Sequence, residues 1–259
     1  MNKLPVVLLA GGLGTRMREE TEYKPKPMVD VGGRPVIWHI MKNLSQQGVQ
    51  EFIVCAGYKK EIIKEFFLNY RALTNDFTIS LNELSAQVIH DAGVAEDWEV
   101  TVSDTGEFTQ TGGRVKRIQS YVGNRRFLVT YGDGLADIDL TQLMKFHESH
   151  GRMATISTVR PTSRFGVMDI SKTGRVEKFR EKPRVEDWIN IGFFIFEPEI
   201  FDYLNRDCVL EQEPLMELAR LGELYAYQHP GFWQPMDTFR ESQMLNEMWS
   251  NNDAPWKNW

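Results

Sequence analysis

The sequence predicts an α/β protein with a mixed, mostly parallel central sheet covered by helices on both faces. Three observations carry this prediction. Apolar runs of strand length alternate with segments whose apolar residues recur at helical spacing. The first run, Val6–Ala10, has no polar face, as a strand buried on both sides requires. Glycine-rich turns follow strand-like runs directly at 11–14 and at 132–134, where open α/β sheets keep their ligand sites.

The elements follow in order. Val6–Ala10 reads as a buried strand, and Pro35–Gln47 as a helix with Ile37, Ile40, Met41 and Leu44 on one face and Gly48 as its stop. Glu51–Ala56 and Glu61–Tyr70 supply the next strand and helix, which is the grammar of a βαβ unit. From Asp76 the rhythm changes. Residues 76–105 read as short strands (Phe77–Leu81, Ala86–His90, Glu99–Ser103), a small β-rich excursion rather than a domain. Gly112–Tyr121 is helical again, Arg126–Tyr131 is a strand ending in Gly132-Asp133-Gly134, and Leu140–His150 is a helix. After a strand at Met153–Val159, residues 164–182 suit a hairpin turning at Thr173-Gly174. Ile189–Phe196 is an apolar strand, and a helix near Phe239–Trp249 precedes an aromatic terminus. Repeats, low-complexity tracts and flexible linkers are lacking, so one domain over 1–259 is expected, with halves at about 1–135 and 136–259.

Composition narrows the function. With 42% hydrophobic and 25% charged residues the chain is globular in character, and a net charge of −6 argues against a broad nucleic-acid surface. Any phosphate site must therefore be assembled from a few local cations. Cys55 and Cys208 form no disulfide framework and stand in no metal-type spacing. His147 and His150 share a helix, but no third metal ligand accompanies them. Neither a signal-peptide core nor a run of membrane-span length is present; the expectation is a cytoplasmic enzyme without a membrane partner.

The chemistry concentrates in residues 8–28, LLAGGLGTRMREETEYKPKPM. Gly11, Gly12 and Gly14 after a strand let backbone N–H groups approach a phosphate, and Thr15, Arg16, Lys24 and Lys26 can offset its charge. A Walker loop is excluded, because no G-x-x-x-x-G-K-[ST] window exists. So is a dinucleotide fingerprint, because Met17 stands where its third glycine belongs. Asp133, at a strand's C-terminal end, can hold Mg²⁺, which takes one or two carboxylates plus phosphate oxygens. Asp237, in Gly231-Phe-Trp-Gln-Pro-Met-Asp-Thr, is the best second carboxylate, although spacing alone does not place it near Asp133. Thr109-Gln-Thr-Gly-Gly-Arg114 sets a fork-shaped cation before a helix, or is an ordinary helix start. Glu181-Lys182-Pro183 is either a solvated loop or a site for sugar hydroxyls and phosphate.

LAGGLGTR, KPKPM, WHIMK, TGGR, TYGDG, EKP, EQEPLMELA and HPGFWQPMDT run in order through the whole chain. Together they resemble the sugar-1-phosphate nucleotidyltransferases, and within them the branch that joins CTP to glucose 1-phosphate. The resemblance implies a Rossmann-like three-layer nucleotidyltransferase fold, a nucleotide-binding first half and a sugar-binding second half. It implies that Leu9, Ala10, Gly11, Gly12, Leu13, Gly14, Thr15 and Arg16 hold the nucleotide, with Lys26, Thr109, Arg114 and Gly132. Arg16, Lys26 and Asp133 would serve turnover, Asp133 and Asp237 would hold Mg²⁺, and Glu181, Lys182 and Asn190 would address the sugar phosphate. It also implies a homo-oligomer, which the aromatic tail suits. One position departs from the family pattern. Ile191 stands where the family has glycine, which leaves another sugar 1-phosphate open as acceptor. A non-catalytic nucleotide-sugar sensor is the alternative of a different class.

Overall fold

A computed structural model describes residues 4–82, 87–90, 96–163 and 165–259. Its centre is a seven-stranded mixed sheet. The strands are β1 (Val6–Ala10), β2 (Glu51–Ala56), β3 (Glu99–Asp104), β4 (Phe127–Tyr131), β5 (Ala154–Val159), β6 (Ile189–Phe196) and β7 (Leu224–Gln228). Their spatial order is β7-β5-β6-β4-β1-β2-β3. β1 pairs in parallel with β2 and β4, and β2 with β3, which is the expected βαβ half. β6 runs antiparallel to both β4 and β5 and makes the sheet mixed.

Side-chain alternation along β1 builds the two outer layers. Val6, Leu8 and Ala10 join a core with helices α1 (Val36–Ser45) and α2 (Lys60–Leu68), while Val7 and Leu9 face the opposite core. That second core contains Val115 of α3 (Thr111–Arg117). Helix α4 (Leu140–His150) and the C-terminal helix α6 (Phe239–Ser250) pack on the first side; α5 (Glu213–Leu221) packs on the second. Burying every residue of β1 explains its lack of a polar face.

One expectation needs correction. The excursion is smaller than 76–105: among the described residues Asp76–Ile79 and Gln87–His90 form a separate hairpin, while β3 joins the main sheet as its edge strand; Ala86, expected to open the second strand, lies outside the described residues. Short polar–apolar alternation does not distinguish an edge strand from a hairpin, because both have one face in solvent. The aromatic tail packs into the first core. Trp256 is fully buried, its indole N–H donates to His39 Nδ1 at 3.3 Å, Trp249 packs edgewise on the same imidazole, and Trp259 packs edgewise on Trp38 and tilted against His39. Burial pushes the His39 pKa down to about 4, and its Nε2–H donates to Val31 O at 2.7 Å. Among the described residues no helix is long and apolar enough to cross a membrane.

Candidate functional site

A cleft of about 480 Å³ opens at the C-terminal ends of β1 and β4. The glycine turn after β1 forms one wall. Gly12 has open space where a side chain would stand, so its backbone is reachable from the cleft. Gly11 is glycine for a different reason: a Cβ there would collide with the Arg114 guanidinium. That guanidinium, 4% exposed, donates to Gly11 O (2.8 Å), Thr105 Oγ1 (2.8 Å), Gly106 O (2.7 Å) and Glu107 O (3.1 Å). Burial lowers its pKa, yet an arginine stays charged. Arg114 therefore clamps the glycine turn to the loop after β3.

The opposite side is acidic. Lys26, 9% exposed, sits in a single turn at Lys26–Met28, held between Pro25 and Pro27. Its Nζ lies 2.5 Å from Asp133 Oδ2 and 2.6 Å from Asp237 Oδ1. Burial alone would push this ammonium down; the two carboxylates outweigh it and hold its pKa above the ordinary value. The meeting of Asp133 and Asp237 has a backbone cause. Gly134–Ala136 pairs antiparallel with Trp233–Pro235, and Met236 N–H donates to Asp133 O at 2.9 Å. A capping box then fixes Asp237 just before α6: Glu241 Oε2 accepts from the amides of Asp237 (2.8 Å) and Thr238 (2.9 Å). Two carboxylates that already share one cation, beside a phosphate-accessible turn, are the donor set Mg²⁺ prefers.

The nucleotidyl transferase profile matches residues 5–220, which spans the glycine turn, Lys26, Arg114 and Asp133. The chain belongs to the nucleotidyl transferase family. It is 49% identical to the glucose-1-phosphate cytidylyltransferase of Salmonella typhimurium (strain LT2), over 99% of this chain and 100% of that protein. It is 31% identical to mannose-1-phosphate guanylyltransferase 1 of Arabidopsis thaliana, over 90% of this chain and 62% of that one. Among solved structures, HddC from Yersinia pseudotuberculosis superposes with a TM-score of 0.67 at 26% identity, covering 95% of this chain and 99% of that chain.

Within this nucleotidyl transferase, Leu9, Ala10, Gly11, Gly12, Gly14 and Thr15 line the cleft, as do Thr109 and the Lys26–Asp133–Asp237 group. The side chain of Arg16 lies outside the described residues. Leu13 is exposed and not part of the lining. Gly132 is not in the lining either; it is buried against Leu9 O and Pro27, and Gly134 reaches the cleft instead. Arg114 borders the cleft, but with its guanidinium committed to backbone it is not a free fork for phosphate. Lys24 pairs with Asp30 at 2.7 Å, away from the lining. Glu181 and Lys182 are exposed beside the hairpin of Val167–Ile170 and Val176–Arg180, and the structure does not bring them into the cleft wall.

Position 191 resolves differently from its sequence expectation. The backbone that demands glycine is at Gly192, with φ +83° and the Tyr131 ring where its side chain would be. Ile191, 2% exposed, has no such demand and fills the cleft wall next to Tyr131. The register of β6 against β5 shifts at this point, a bulge of the kind that re-aims side chains beside active sites. Tyr131, Thr111, Trp233 and Pro235 also line the cleft and were not singled out from sequence. Tyr131 and Thr111 stood inside recognised motifs, TYGDG and TGGR, but only the fold shows which motif residues face inward.

Proposed function

We propose that the cleft transfers a cytidylyl group from CTP to α-D-glucose 1-phosphate, giving CDP-glucose and pyrophosphate. The observation that carries this is the convergence of Lys26, Asp133 and Asp237 beside the Gly11–Thr15 turn. The named relative at 49% identity supports the choice of substrates. The glycine turn offers N–H groups to the triphosphate, and Lys26 offsets its negative charge. Asp133 and Asp237 would hold Mg²⁺, which when bound screens the phosphate charge and polarises its oxygens. Thr109 borders the nucleotide side, and Arg114 positions the turn.

The sugar phosphate is already an anion and needs no protein base. Its oxygen attacks the α-phosphorus, the bond to the β-phosphate breaks, and pyrophosphate leaves with the electron pair. The protein's part is alignment and charge neutralisation, with no covalent enzyme intermediate. Asn190 supplies hydrogen bonds to the acceptor, with Glu181 and Lys182 approaching from the exposed hairpin. Phe165, Met168 and Phe179, exposed on and beside that hairpin, are apolar surface suited to a second copy of the chain in a homo-oligomer.

The test is pyrophosphate release with Mg²⁺, glucose 1-phosphate and each nucleoside triphosphate in turn. Release with CTP is expected. Nucleotide binding without release, across a panel of sugar phosphates, would make the protein a sensor.

A further inference from the structure

Four side chains at the cleft wall form a continuous hydrogen-bond chain centred on a carboxylate the proposed reaction does not use. Glu211 Oε2 accepts from Thr111 Oγ1 at 2.6 Å, and Glu211 Oε1 accepts from the Tyr131 hydroxyl. Thr111 Oγ1 in turn accepts from Leu210 N–H at 2.9 Å. The Tyr131 hydroxyl, having given its hydrogen to Glu211, accepts from Asn190 Nδ2 at 3.3 Å. Asn190 Oδ1 accepts from Gly192 N–H at 2.8 Å, which settles the orientation of that amide.

The chain is built to deliver Glu211 to this place. A Cβ on Gly112 would lie 2.6 Å from Cys208 Sγ, and one on Gly113 would lie 2.5 Å from Arg206 O. Gly113 N–H donates to Cys208 O at 3.0 Å. The two glycines of the TGGR motif thus serve close approach of the 206–210 segment, not a phosphate. That approach carries Glu211 against the start of α3 and the end of β4.

We infer that Glu211 is a positioning residue for the acceptor: by holding the hydroxyls of Tyr131 and Thr111 on one carboxylate it joins the two walls of the cleft and orients Asn190. The proton order follows from charge. A carboxylate can only accept, so Tyr131 must donate to it, and the phenol oxygen is left to accept from Asn190. That leaves the second Nδ2 hydrogen of Asn190 without a partner among the described residues, as a donor for a sugar hydroxyl. Burial and the Glu211 charge both raise the Tyr131 pKa, which keeps the phenol a donor. Beyond the bulge at 191–193, Asn190 pairs with Thr158 of β5.

This inference rests on the proposed transfer, and a double-mutant cycle tests it. Glu211→Ala and Tyr131→Phe are each expected to raise the KM for glucose 1-phosphate about tenfold while the KM for CTP stays within about twofold. The double variant should be no worse than the poorer single variant. Additive effects, or equal loss for both substrates, would overturn the positioning role. Glu211→Gln covers the case in which Glu211→Ala does not fold. A readout independent of turnover is the Asn190 side-chain amide resonance pair, assigned by its loss in Asn190→Asp. It should move in Glu211→Gln in the same direction as in Tyr131→Phe, and an unmoved pair overturns the inference. If wild type releases no pyrophosphate yet that pair moves, the proposed reaction falls and the role of Glu211 in orienting Asn190 stands.

Discussion

The two walls of the cleft are built differently. On the nucleotide side, every group projects from or packs against the parallel half of the sheet: the glycine turn continues β1, Asp133 follows β4, and Arg114 ties the turn to the loop after β3. On the acceptor side, Asn190 and Ile191 belong to β6, but Glu181 and Lys182 stand outside on a two-stranded ribbon with Lys182 59% exposed. A two-stranded ribbon alone is marginal in water, whereas strands buried in a seven-stranded sheet move little. The wall proposed for the nucleotide is therefore pre-formed, whereas the proposed acceptor role of Glu181 and Lys182 requires the ribbon to approach the cleft.

That contrast can be broken or sharpened by experiment. The largest effect should come from Asp133→Asn, which removes charge at the proposed phosphate and Mg²⁺ site. Turnover should fall by about a hundred- to a thousandfold with an unchanged circular-dichroism spectrum. Turnover near wild type would remove Asp133 from the reaction. Next in size is Arg114→Met. It keeps bulk but strands several buried acceptors, at a cost of about 3 kcal/mol in urea unfolding with weakened CTP binding. Unchanged stability would show that the turn does not depend on its clamp.

Acid should act through the nucleotide wall as well, because His39 supports Val31 in the segment that carries Lys26. Its folded pKa is lowered from 6.5 to about 4, so the unfolded chain takes up the proton first. The stabilisation is present above about pH 6.5 and is lost as pH falls toward 4, to the extent of about 3 kcal/mol. His147, whose pKa is also lowered mainly by burial, adds to the same trend. Urea midpoints over this range should therefore drop more steeply for wild type than for His39→Gln. Parallel slopes would count against a neutral buried imidazole.

The smallest effect is expected on the exposed ribbon. Lys182→Ala should raise the KM for glucose 1-phosphate by up to about tenfold and leave CTP binding and the melting temperature unchanged. No change in that KM would mean that β6 alone makes the acceptor wall.

Much of the architecture was legible because period and length are local properties. β2, α4 and β6 begin and end where apolar spacing places them, and the turn at Gly174 has the positive φ, +83°, that its residue type suggested. The glycine turn and Lys26 were legible for a similar reason: residue types that bind phosphate are rare in such density. Other assignments were not open to that reasoning. Whether an arginine before a helix meets a ligand or a carbonyl depends on which backbone lies beside it, and for Arg114 both terminal guanidinium nitrogens meet the protein itself. Glu211 belongs to a recognised motif, but nothing near it in sequence points to Thr111 and Tyr131, 100 and 80 residues away.

The sequence by itself determined the alternating strands and helices, the phosphate-accessible turn and the identity of the charged groups. These follow from side-chain chemistry and the short-range geometry of the backbone. Only the tertiary structure decided that Lys26 meets Asp133 across 107 residues and Asp237 across 211, because strand order and the pairing of Gly134–Ala136 with Trp233–Pro235 set that encounter. It also decided that Glu181 and Lys182 stand apart from the cleft while Glu211 hydrogen-bonds Thr111 and Tyr131 of its wall. Proximity between distant residues is a property of packing, in which each contact depends on the elements between them, and no local pattern encodes it.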